Sequence, residues 1–94
     1  MARYVIERAI PEIGSADHAA LAAAAQKSNS VLADMQSENK QIQWEHSYVG
    51  SDKTFCIYLA KSEALINEHA DRSGFPATTV TRVEKIIDPV TAEG

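Results

Sequence analysis

The segment QIQWEHSYVGSDKTFCIYLA, residues 41–60, decides the fold. Over 41–49 the side chains alternate, with Ile42, Trp44, His46 and Tyr48 on one side and Gln41, Gln43, Glu45 and Ser47 on the other. A period of two sends them to opposite faces of a pleated strand, one against a core and one toward water. Gly50-Ser51-Asp52 is turn chemistry. Residues 53–60 are apolar on both parities, Phe55, Ile57 and Leu59 against Cys56, Tyr58 and Ala60, as in a strand covered on both faces. The two strands form a hairpin whose loop length fixes the pairing. A two-residue loop puts Glu45 and Ser47 on the face of Cys56 and Tyr58, with His46 beside Phe55 and Ile57. A three-residue loop puts His46 opposite Cys56 and Trp44 opposite Tyr58. Under either pairing a sulfur, a phenol and a carboxylate or imidazole converge on one sheet face.

Outward from this hairpin, the apolar run over 3–10 ends at Pro11 and predicts a strand. Ser15 is the expected N-cap of a helix from Ala16 to about Met35, with Leu21, Ala25, Ser28, Val31, Leu32 and Met35 at helical spacing. After the hairpin, Ser62 is placed to cap a second helix with Leu65, Ile66, His69 and Ala70 inward. Gly74, Phe75 and Pro76 terminate it. The β-branched run Thr79 to Ile87 predicts a last strand. The order β-α-β-β-α-β is the α+β, ferredoxin-like arrangement: a four-stranded antiparallel sheet with two helices on one face, here a single domain over 1–94. The helices leave one sheet face bare although the strand at 53–60 is apolar on both sides. A second copy of the chain is the expected cover, giving a barrel-like homodimer.

Composition bounds the function. The 94 residues carry Lys+Arg 9 against Asp+Glu 13, a net charge of −4 and one cysteine. A chain of this length buries roughly 60–65% of its unfolded surface, enough for a modest core without obligatory staples. One cysteine excludes an intrachain disulfide and points to the cytoplasm. The acidic balance argues against nucleic acid or an anionic membrane as partner. No apolar run approaches a membrane span, and Arg3, Glu7 and Arg8 break a signal-peptide pattern.

The residues able to carry chemistry inside expected elements are Glu7, Glu45, His46, Cys56, Tyr58 and His69. Each has a plainer reading. A mid-strand cysteine is more often a small buried hydrophobe than a ligand. His46 and His69 fit core or interface positions, and His18 fits a solvated first turn. Glu7 is the anomaly, a carboxylate inside an apolar strand that needs a partner, a metal or water. A mixed sulfur, nitrogen and oxygen set suits nickel, zinc or copper, with water or a dimer mate completing the shell. No Cys-x-x-Cys, His-x-x-x-His or Gly-x-Ser-x-Gly motif is present, and the four glycines form no phosphate loop. The chain therefore reads as a binding protein before it reads as an enzyme.

The ordered segments YVIER (4–8), WEHSYV (44–49), DKTFCIY (52–58), HA (69–70) with SGFP (73–76), and DPVTA (88–92) resemble the small actinobacterial nickel-binding, nickel-responsive proteins first catalogued as a domain of unknown function. That resemblance implies a ferredoxin-like subunit, a homodimer with a barrel-like core, and nickel bound by side chains of the dimer for metal homeostasis. Carried onto matching positions, it names Glu7, His46, Cys56, Tyr58 and His69 as metal donors. The long alanine-rich first helix and a few extra C-terminal residues depart from the family pattern without touching those positions. Two other readings share the fold. One is a dimeric α+β barrel enzyme with a small-molecule pocket between sheet and helices, which requires a cavity of a few hundred Å³. The other is a ligand-free dimeric regulatory or interaction domain.

Overall fold

In the computed structural model, which describes Met1 to Gly94, strand β1 (Ala2–Ala9) leads through a 3-10 turn (Ile13–Ser15) into helix α1 (His18–Ser37). The hairpin β2 (Ile42–Val49) and β3 (Lys53–Ala60) follows, then helix α2 (Glu63–Ser73), strand β4 (Thr79–Arg82) and a last 3-10 turn (Pro89–Glu93). The sheet runs β2-β3-β1-β4, antiparallel throughout, with both helices on one face. This is the expected α+β, ferredoxin-like arrangement. The core lies between the helices and that face: Tyr4, Ile6, Cys56, Tyr58 and Ala60 from the sheet meet Leu32 and Met35 of α1 and Ile66 of α2.

The hairpin realises both pairing alternatives, one in each half. The Gly50 N–H donates to Lys53 O at 2.8 Å and closes a two-residue turn at Ser51-Asp52. Near that turn Ser47 stands opposite Cys56 and His46 opposite Ile57. A bulge between Trp44 and His46 then admits Glu45 as an extra residue, so Trp44 stands opposite Tyr58. An extra residue reverses the in-out alternation on either side of it. Ile42, Trp44, Ser47 and Val49 consequently face the helices, while Gln43, Glu45, His46 and Tyr48 face away. The unbroken alternation that grouped His46 and Tyr48 with Trp44 is corrected by this one residue. Neither Glu45 nor His46 reaches the face of Cys56; the imidazole on that side is His69, from α2.

Three local expectations are corrected as well. Ala16 is extended, and the N-cap of α1 is Asp17, whose Oδ1 accepts from the Ala20 N–H at 2.8 Å. Ser15 instead donates its hydroxyl to Glu12 O at 2.9 Å. Ser62 occupies the N-cap position of α2, but its side chain makes no capping bond. β4 stops at Arg82 rather than Ile87: the Val83 N–H still donates to Arg3 O at 2.8 Å, after which the ladder ends and Ile87 is 82% exposed. β-branched composition makes a strand only where a neighbour supplies ladder bonds. Gly74, at φ 79°, closes α2 as expected, its N–H donating to Ala70 O at 2.9 Å.

The connection between β1 and α1 is stitched to the hairpin turn. Ile10 N–H donates to Asp52 O at 3.0 Å, Glu12 N–H to Asp52 Oδ1 at 3.0 Å, and Gly14 N–H to Ser51 O at 2.9 Å. A Cβ on Gly14 would sit 2.7 Å from Gly50 O and 2.9 Å from Ser51 Cα, both backbone atoms unable to step aside. Gly14→Ala is therefore expected to cost about 1–3 kcal/mol, the usual range for overpacking. For a chain of this size that corresponds to a melting point lower by at least about 4 °C, read by thermal denaturation. An unchanged melting point would show that the turn can shift without loss.

Candidate functional site

The sequence-predicted donors fall on opposite faces of the sheet. Cys56 and Tyr58 point toward the helices, where His69 of α2 joins them; Glu7 and His46 point to the bare face.

On the helix side, Ser28 of α1 is the hub. Its Oγ lies 3.4 Å from Tyr58 Oη and 3.3 Å from His69 Nε2, and the Tyr58 and His69 rings are 5.4 Å apart at a tilt of 53°. His69 is 1% exposed and its Nδ1 has no hydrogen-bond partner. Burial, reinforced by the nearby Arg8 cation and partly offset by the hydrogen bond with Ser28, pulls the imidazole pKa from 6.5 down to about 4. His69 is thus neutral at pH 7. Burial pushes the Tyr58 phenol up, against the opposing influence of Ser28 and Arg8. Cys56 is a free, buried thiol 3.4 Å from Thr54 Oγ1.

Beside this cluster, between α1 and the sheet, is a cavity of about 270 Å³. Its apolar wall is Leu21, Ala24 and Ala25 of α1, Trp44 and Val49 of β2, and Phe75 after α2. The alanines explain the space: α1 crosses the sheet there with side chains too short to reach it, whereas Leu32 and Met35 fill the gap further along. Arg8, Ser28, Ser47, Thr54, Cys56 and Tyr58 supply the polar lining. Side chains do not fill this space, so the small-molecule reading keeps the room it needs.

Arg8 and Ser28 were not among the candidate residues. Arg8 carries a legible signal, because it follows Tyr4 and Ile6 at the period-two spacing and so continues the inward set of β1. Spacing alone puts Ser28 on the inner stripe of α1, and nothing local marks its role.

On the bare face, Glu7 is half-buried and pairs with Lys53 Nζ at 3.5 Å. This partner answers the anomaly of a carboxylate in an apolar strand. His46 is exposed and packs edge-on against Tyr48, ring centroids 5.1 Å apart. Glu45, on the bulge, bonds Arg3 at 2.8 Å. Between these polar residues run Val5, Phe55, Ile57 and Leu59, each part-exposed. β3 separates Glu7 from His46, so their strands are about 10 Å apart. Within one chain no three His, Cys, Asp or Glu side chains lie close enough to hold a metal ion. A transition metal needs at least that many protein donors for firm binding, so a second copy would have to supply the rest.

The state of His69 has a measurable consequence. Above pH 6.5 the imidazole is neutral in both folded and unfolded chains. Between about 6.5 and about 4 the unfolded chain takes up a proton that the folded chain refuses. Stability is therefore fully present above pH 6.5 and is lost as pH falls through this window, the unfolding constant rising toward tenfold per pH unit. Urea titrations at pH 7.5 and 5 are expected to show that His69→Gln loses less stability on acidification than the parent chain. Equal losses in the two would refute a buried neutral His69.

Comparison with known proteins agrees with the fold. The chain superimposes on the crystal structure of SCO4226 from Streptomyces coelicolor A3(2) with a TM-score of 0.72 and 17% identity, over 92% of this chain and 100% of that one. No curated protein sequence matches significantly. Residues 4–83 match the family described as nickel responsive protein SCO4226-like, and this span takes in both helices, β2, β3 and β4 whole and β1 from Tyr4 on. The chain belongs to the SCO4226-like family of nickel responsive proteins.

Proposed function

We propose that this chain acts as a two-fold homodimer closed over the bare face of its sheet, and that it takes up nickel there in a cytoplasmic response to the metal or its homeostasis. The observation that carries the reading is that His46, exposed, and Glu7, part-exposed, share the one face that neither helix covers. The family description supports nickel as the ion. The apolar centre of that face, together with Tyr48 at 63% exposed, supports a covering partner. Zinc and copper suit the same imidazole and carboxylate donors and are the expected substitutes. Of the five expected donors, Glu7 and His46 are open to an ion from solution; Cys56, Tyr58 and His69 are buried behind α1 and α2. A free thiol kept from solvent suits a reducing compartment.

Calorimetric titration of untagged protein with Ni²⁺ at pH 7.5 is expected to show saturable binding, weakened at least tenfold by His46→Ala and by Glu7→Gln. Cys56→Ser is expected to leave it unchanged. Binding is also expected to weaken on acidification, because imidazole ligates only when neutral. No affinity tighter than millimolar would sink the proposal. Light scattering tests the assembly: Ile57→Lys, at the centre of the bare face, is expected to reduce the mass from two chains to one. A parent chain that is already monomeric would overturn the dimer.

A further inference from the structure

We propose that the cavity between α1 and the sheet binds a small organic acid, its carboxylate paired with Arg8 and its apolar body against Trp44 and the alanines of α1. This goes beyond the nickel reading and concerns the opposite face of the sheet.

Arg8 is 3% exposed, one of the most deeply buried residues of the chain, and lines the cavity directly. Guanidinium stays protonated in proteins, so this is a permanent buried cation. No carboxylate is within ion-pair distance: Arg3, Lys40, Lys53, Arg72 and Arg82 each have an acidic partner, and Arg8 does not. Its two hydrogen bonds to the protein both leave from Nη1, to Phe75 O and Pro76 O at 3.1 Å each. The guanidinium carbon lies 5.9 Å from the Tyr58 ring centroid, a further but weak compensation. Buried charges are ordinarily paired, and the counter-charge here is missing.

The cavity specifies what would supply it. No Asp or Glu is among its lining residues, so its one formal charge is positive. A cation in a low-dielectric recess selects an anion. The planar donor fork of arginine matches a carboxylate in two parallel hydrogen bonds. Ser28 and Tyr58 add hydroxyls at the same end. Ser47 and Thr54 add two hydroxyls on the sheet side, and the rest of the wall is aliphatic and aromatic, which suits an apolar body. At about 270 Å³ the space lies between an engineered benzene-binding cavity of about 150 Å³ and drug-sized pockets of about 300–1,000 Å³. A monocarboxylic acid with one aromatic ring or a short alkyl chain fits these limits.

Trp44, the single tryptophan, is in the cavity wall and reports on occupancy by its fluorescence. The metal-free 94-residue chain is titrated with phenylacetate and hexanoate, and in parallel with their neutral amides. The expected result is a saturable change with at least one acid, binding at least tenfold tighter than its amide. Arg8→Gln is expected to erase that preference while leaving amide binding in place. Should Arg8→Gln fail to fold, Ala25→Leu serves: it fills the cavity from α1, keeps the circular dichroism spectrum and melting point, and abolishes binding of the acid. Absence of a saturable response to both acids up to millimolar concentration would overturn the proposal. Equal affinity for acid and amide would overturn it too, as would full-strength binding in Ala25→Leu.

Discussion

The chemistry of both faces depends on one extra residue in β2. Glu45 enters the ladder opposite no partner of its own, and the alternation of the strand reverses across it. Without the bulge, the two-residue turn would carry its pairing through the whole strand. Trp44 would then face away from the helices, and the cavity would lose its aromatic wall on the β2 side. With it, Trp44 and Ser47 both face inward, and Glu45 and His46 both face out. The carboxylate of Glu45 is held on that outer face by Arg3 at 2.8 Å, an ion pair that anchors the bulged strand to β1 across β3. A single irregularity thus separates an outer face that carries Glu7, Glu45 and His46 from an inner one that encloses a cation.

On the inner side the electrostatics follow from burial. Arg8 cannot lose its proton, so it adds a fixed positive charge to the environment of Tyr58 and His69. His69 remains neutral first because burial strips the imidazolium of its hydration, and second because charging it would place another cation beside Arg8. Ser28 can serve both Tyr58 and His69 because a hydroxyl donates once and accepts twice. The orphaned Nδ1 of His69 is the remaining imperfection, and a polar atom left without a partner is costly in a core this small. The helices meanwhile are joined at the surface: Glu38 after α1 takes both Nη atoms of Arg72 at 2.8 and 2.9 Å, and Lys40 reaches Glu68 at 2.7 Å. The two neighbouring cations hold the Glu38 carboxyl near 2. Exposed pairs of this kind stabilise modestly and fix the helix angle more than they deepen the fold.

Element order and type were legible in the sequence because they depend on patterns that tertiary contacts reinforce: period two in β2 and β3, the inner stripes of the helices, Gly74 before Pro76. What was not legible depended on a single hydrogen bond or a partner distant in sequence. Ser15 and Asp17 are both good caps, and which one serves is set by how the Glu12–Ser15 turn docks on Ser51 and Asp52. The end of β4 is set by where its ladder with β1 stops, not by its own β-branched side chains. The bulge has no signature in residues 44–46, so the choice between His46 beside Ile57 and His46 opposite Cys56 could not be made locally. For the site, the pairing of Cys56 with Tyr58 was readable from the period of β3, but the expected third member, Glu45 or His46, lies on the other face, and the imidazole that joins them, His69, comes from a helix whose docking no local pattern specifies.

Arg8 also shows how a position can conflict with the pattern that places it. Its spacing after Tyr4 and Ile6 asks for an apolar side chain, and a methionine would satisfy core packing without leaving a charge to desolvate. Two carbonyls and a distant ring face replace only part of the lost hydration, and the effective penalty for a buried ion is several kcal/mol. Against a net stability of about 5–15 kcal/mol for a domain of this kind, that is a substantial fraction. Local rules broken without compensation inside the fold concentrate at sites whose compensation comes from outside it. The cavity beside Arg8 breaks a second such rule, because Ala24 and Ala25 leave unfilled a space that longer side chains on the same helix face would close. An uncompensated cation and an unfilled apolar space side by side are each a deficit alone; together they have the shape and charge of one missing molecule.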